Sequence, residues 1–68
     1  MGSLTERMAA RIVALREQRG WSQEHVARRA GIHRVTLANI ERGIKQPTLD
    51  TLDRLTRALG VKLTDLVK

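Results

Sequence analysis

Arg34 pairs with Ala38, and Val35 with Asn39, at i,i+4 spacing. On a helix such pairs share one side, here the side opposite Leu37 and Ile40. It carries a guanidinium, a carboxamide and two small apolar groups, with no acid. A face that is merely solvated more often carries Glu and Lys. These four types suit the edges of base pairs in a duplex major groove. Arg is bidentate to guanine, Asn to adenine, and small apolar groups meet the thymine methyl. No comparable set supports catalysis. Ser22 and His25 lack the geometry of a nucleophile and its base, and no acid orients them. Ser22 is explained as a helix cap. His25 and His33 fall on different segments with no third ligand, and cysteine is absent, so no metal site is expected.

A reading face of this kind needs a short helix held at a fixed angle. Gly20, Gly31, Gly43 and Gly60 punctuate the chain, and apolar residues recur between them at helical spacing. The pattern predicts five helices and no sheet. The first runs from about Leu4 to Arg19, with Ser3 and Glu6 as a capping box or Thr5 as the cap, and Met8, Ile12 and Leu15 inward. The second begins at Ser22 and buries Val26, Ala27 and Ala30. The third runs from about His33 to Arg42. Residues 44–48 form a loop, and Thr48 caps a fourth helix that buries Leu49, Leu52, Leu55 and Leu59. A last short helix covers Leu63 to Val67, with Lys62 a poor cap. Ala30-Gly31-Ile32 is too short a connection for relaxed antiparallel helices, so the second and third should cross steeply as a helix-turn-helix.

Composition agrees with this reading. Sixty-eight residues allow one domain, expected over residues 1–68 with the helix-turn-helix at about 22–43. Met1-Gly2-Ser3 can be read as an expression remnant. No apolar run approaches the roughly 20 residues of a membrane span, and the first residues lack a signal-peptide core, which predicts a cytoplasmic chain without membrane contact. With one Trp, no Phe and no Tyr, stacking platforms for single strands are not expected. The net charge is +6, of which +5 lies before Pro47. That is an electrostatic footprint for polyanions.

The segments Arg16-Glu17-Gln18-Arg19-Gly20-Trp21-Ser22-Gln23-Glu24, Val26-Ala27, Ala30-Gly31-Ile32, Ile40-Glu41-Arg42-Gly43, Pro47-Thr48-Leu49 and Ala58-Leu59-Gly60-Val61 extend the pattern. Together they resemble the Cro/CI-type, phage-repressor-like (XRE) helix-turn-helix family over about residues 8–67. The short form also resembles restriction–modification controller proteins. The resemblance implies an all-α, lambda-repressor-like five-helix bundle that regulates transcription by binding double-stranded DNA as a homodimer on a near-palindromic operator.

It also implies roles. Arg34, Val35, Ala38 and Asn39 read base edges, and Thr36 beside them reaches phosphate or base. Gln23 touches a phosphate, and the loop with Lys45 and Gln46 approaches the backbone. Arg16 and Glu41 form a structural ion pair. His33 replaces the usual Ser or Thr cap and is either a phosphate contact or a plain surface residue. His25 is read as solvated, Trp21 as a cover beneath the turn, and Val13 as an exposed apolar residue. Leu63, Leu66, Val67 and the end of the fourth helix are expected to form the dimer interface, with plain core closure as the alternative reading of those residues. No residues are left over for a small-molecule sensor or cofactor. An autorepressing antitoxin with a toxin partner and a helical protein-interaction adaptor are the rival readings.

Overall fold

The computed structural model describes residues 2–67. Five helices follow in order: α1 (Leu4–Gln18), α2 (Gln23–Ala30), α3 (Arg34–Glu41), α4 (Leu49–Leu59) and α5 (Leu63–Val67). No strand occurs among the described residues. α2 packs against α3 and α4, while α1 packs against α3 and α5.

The helix ends follow from local chemistry. Ser3 Oγ accepts from the Glu6 N–H at 3.2 Å, and the Glu6 carboxylate accepts from the Ser3 N–H at 2.9 Å. This reciprocal box satisfies N–H groups that the first turn leaves without helical partners. Ser22 and Thr48 cap α2 and α4 without the reciprocal bond, each accepting from the N–H three residues on. Gly31, at φ 70°, makes the left-handed turn that ends α2. The next residue, Ile32, donates its N–H to the Ala27 carbonyl at 3.0 Å, which closes the corner.

Ile12, Val26, Leu37, Ile40, Leu55, Leu59 and Leu66 are the large fully buried side chains, so every helix contributes to a single core. Leu15, Trp21, Ile32 and Val61 pack against it while partly exposed. Val13, expected to be exposed, is partly buried.

Two expectations about apolar residues are corrected. Leu49 does not join the buried stripe of α4, being 79% exposed. At 3.6 residues per turn it lies roughly 20° from buried Thr56 around the helix axis, so its exposure goes with its place as the first residue of α4 and not with the face it is on. Thr56 takes the inward place beside Leu52, and its hydroxyl donates to the Asp53 carbonyl at 2.8 Å. Leu66, expected at a partner-facing surface, is 1% exposed and closes the core beneath α1 and α4. The poor cap at Lys62 is answered from the other side of the turn. Asp65 Oδ2 accepts from the Lys62 N–H at 2.9 Å.

Candidate nucleic-acid interface

α3 is held from both ends. Leu37 and Ile40 anchor it in the core. At its C-terminus the Asn39 carbonyl accepts from the N–H groups of Ile44 and Lys45, at 3.2 and 3.3 Å. That folds the following loop back onto the helix. Arg34 and Val35 are exposed on the outer face, while Thr36, Ala38 and Asn39 are partly buried at its edges. His33, Lys45 and Gln46 are exposed at the two ends of the same element. His33 stands at the N-cap without a side-chain cap hydrogen bond.

Glu41 is the one acid on α3, and it is turned inward. Its side chain is 4% exposed and that of Arg16 is 14% exposed. Arg16 Nε donates to Oε2 at 2.7 Å and its Nη2 to Oε1 at 3.0 Å. Gln23 Nε2 also donates to Oε1, at 2.9 Å. Arg16 Nη1 reaches the Trp21 carbonyl at 2.9 Å. Hydrogen bonding to Glu41 raises the Arg16 pKa above its ordinary value, against the opposite push of burial. The negative charge of α3 is thereby neutralised inside the fold, and none faces outward.

The cations differ in how far the fold engages them. Arg28, Arg54 and Arg57 pair with acids one turn away. Arg19 and Arg29 donate to the carbonyls of Leu15 and Ala58 and lie against Trp21, with Arg29 4.7 Å from the ring centroid. Arg34, Arg42 and Lys45, on α3 and its loop, make no side-chain ion pair or hydrogen bond, and neither do Arg7 on α1 and Lys62 ahead of α5. Arg42 is the residue that the sequence reading left without a role. It stands four residues after Ala38 and three after Asn39, so it extends the outer stripe by one turn. The arrangement is a short acid-free face with paired apolar and hydrogen-bonding groups, rimmed by unpaired cations. Its chemistry fits base edges flanked by phosphates.

Comparison with known proteins agrees with this geometry. The family model described as Helix-turn-helix matches residues 12–66. The chain belongs to that family. It is 43% identical over 53 residues to an HTH-type transcriptional regulator, y4dJ, of Sinorhizobium fredii, covering 78% of this chain and 69% of the relative. It is 39% identical over 46 residues to the control protein C.BamHI of Bacillus amyloliquefaciens, covering 68% of this chain and 57% of the relative. Among solved structures, the restriction–modification controller protein C.AhdI from Aeromonas hydrophila superposes with a TM-score of 0.88 at 29% identity. That match covers 91% of this chain and 94% of the other. The helix-turn-helix of this XRE-type fold is α2, Gly31 and α3, which places the cation-rimmed face on its second helix.

Proposed function

We propose that this helix-turn-helix transcriptional regulator binds a near-palindromic duplex operator as a homodimer, with α3 of each copy in the major groove. The observation that carries the reading is the set of unpaired cations on and beside an outer face of α3 that carries no acid. Arg34, Arg42 and Lys45 have no internal partner, while Glu41 is neutralised within the fold. Arg34 and Asn39 supply hydrogen bonds to guanine and adenine, and Val35 and Ala38 supply contact to thymine methyls. Thr36 stands at the edge of this set. Gln23, His33, Lys45, Gln46 and Arg42 fix the register against phosphates.

One short reading helix spans only about half a site, and a second copy related by a two-fold axis supplies the other half. Selection of bound duplexes from a random pool tests the reading. The expected consensus is a near-palindrome with half-site centres about 10 bp apart, or a multiple of that turn. Recovery of a single asymmetric site bound by one copy overturns the dimer. Absence of any salt-dependent duplex binding overturns DNA recognition altogether and favours a protein-interaction adaptor.

A further inference from the structure

Glu6 completes the capping box of α1, and a carboxamide serves that purpose as well as a carboxylate. The fold therefore accounts for its oxygens and leaves its charge unexplained. Oε1 accepts from the Ser3 N–H at 2.9 Å, and a Cβ built on Gly2 would stand 3.2 Å from the same oxygen. Oε2 has no donor among the described residues, and no cation among them pairs with the group. The acids of the helix-turn-helix differ in this respect. Glu41 is neutralised by Arg16, and Glu24 is paired with Arg28.

The end of α3 sets where this charge stands. A Cβ built on Gly43 would lie 3.7 Å from Glu6 Cγ and 4.0 Å from its Cα, so the first turn of α1 sits against the residue that follows Arg42. Glu6 is exposed there. Arg42 precedes Gly43 and Lys45 comes two residues after it, and both are cations proposed to meet phosphates. The carboxylate is tied to Ser3 and pairs with neither. An exposed acid beside them subtracts from the attraction on which sequence-independent contact depends. We infer that Glu6 is an affinity-limiting residue of the DNA interface. Held by its own cap beside Arg42 and the loop after α3, it repels the flanking phosphates and bounds the DNA-facing surface on the α1 side. This rests on the DNA reading proposed above and adds to it a residue that opposes binding. Acting on two or three phosphates at separations of about 10 Å, one such charge changes affinity by about two- to fivefold at low salt, and less as salt shortens its reach.

The test compares Glu6→Gln with Asp65→Asn in the full chain. Each removes one negative charge, and each keeps an oxygen that can accept the capping N–H. Asp65 accepts from the Lys62 N–H on α5, which packs against α1 and α4, so it is the remote control. Binding to selected and to scrambled duplexes is titrated at about 50 and 300 mM salt, and circular dichroism melts confirm that both variants fold. The expected result is about two- to fivefold tighter binding of both duplexes by Glu6→Gln at the lower salt, shrinking at the higher. Asp65→Asn keeps the parent's affinity. Glu6→Lys, which forgoes the box, moves further in the same direction as Glu6→Gln. If folded Glu6→Gln binds like the parent or more weakly, Glu6 does not limit affinity and the inference fails while the DNA reading stands. Equal gains for Glu6→Gln and Asp65→Asn show that only net charge counts, and they overturn the local role. A gain confined to the selected duplex overturns repulsion of phosphates. A parent chain without salt-dependent duplex binding removes the DNA reading itself, and the inference with it.

Discussion

Gln23 Nε2 donates to Glu41 Oε1 at 2.9 Å, joining the first residue of α2 to the last of α3. The same carboxylate takes two further donors from Arg16 on α1. Three helices thus converge on one nearly buried acid, and the helix-turn-helix is locked at both of its outer ends. An exposed acid at this position would meet the negative end of its own helix and, in the proposed complex, a polyanion. Turned inward, it removes both penalties and holds the Gln23 amide in place. One hydrogen of that amide is used by Glu41, and in the proposed complex the other is the one that would meet a phosphate.

Breaking this cluster should destabilise the fold without DNA present. Removing one partner of a buried pair strands the other and costs roughly 3–5 kcal/mol, against about 0–1 for an exposed pair. Small proteins have about 5–15 kcal/mol in total. Glu41→Gln and Arg16→Met should each lower Tm markedly, and the double variant should lose much less than their sum. Thermal unfolding of the three proteins checks this. Small additive losses would show that the pair is not structurally important and would return Arg16 to the DNA-facing cations. The pH dependence is simple on the arginine side. A cation whose pKa is raised on folding stabilises fully below its ordinary value and loses that contribution only as pH passes the raised one. Both lie above the working range, so no titration of Arg16 should appear between about pH 5 and 9.

Specificity and affinity should separate by residue. Arg34→Ala is expected to cost about 1–3 kcal/mol on the best site and to relax preference at one base pair. Lys45→Ala and Arg42→Ala should weaken every sequence alike and reduce the salt slope by about 1 each. Titration against selected and scrambled duplexes at several salt concentrations distinguishes them. Equal loss on all sequences for Arg34→Ala would contradict the base-reading assignment.

The helix ends were legible because their chemistry is local. Ser3 with Glu6, Ser22, Thr48 and the glycine stops all act within four residues of themselves. The Asp65 cap was missed although its signal, an acid three residues after Lys62, was present. Leu49 was misplaced because its residue type and its position two turns before Thr56 both suggest burial, while as the first residue of α4 it stays 79% exposed. The Arg16–Glu41 pair spans 25 residues, so no helical spacing reports it, and the family resemblance supplied it. The bond from Gln23 to the same acid had no sequence signal at all. It exists only once α2 and α3 are folded against each other. Arg42 was readable, since it continues the stripe of Ala38 and Asn39, but it was taken as part of a family pattern instead of as a side chain with a direction.

Leu66 and Leu63 make a stability contrast that checks where α5 faces. Leu66 is fully enclosed, so Leu66→Ala should cost about 2–5 kcal/mol through lost burial and the cavity left behind. Leu63 is nearly half exposed, and Leu63→Ala should cost much less, about 0.5–1 kcal/mol. Urea unfolding of both variants at a concentration where the parent is monomeric makes the comparison. Equal, small losses would mean that α5 does not close the core.

His33 offers a stabilising change at one end of the interface. Its backbone, at φ −72° and ψ 144°, is close to that of Ser22 at φ −77° and ψ 163°. Ser22 accepts from the N–H three residues on, whereas His33 makes no side-chain cap bond. His33→Ser therefore needs no change of backbone, and its hydroxyl is placed to accept from the Thr36 N–H. Such a cap is worth about 1 kcal/mol, and in a chain of this size that raises Tm by roughly 4–8 °C. The same variant separates the two roles open to the imidazole. A surface residue can be lost without effect on DNA, so affinity would stay level while Tm rises. A phosphate contact would be lost with the ring, and affinity would fall on cognate and scrambled duplexes together while Tm still rises. Melting the protein alone and titrating it against both duplexes gives the two readouts independently. A Tm that fails to increase would show that α3 gains nothing from a hydroxyl at this end, and that its start is held by packing of Leu37 and the Ile32 corner instead.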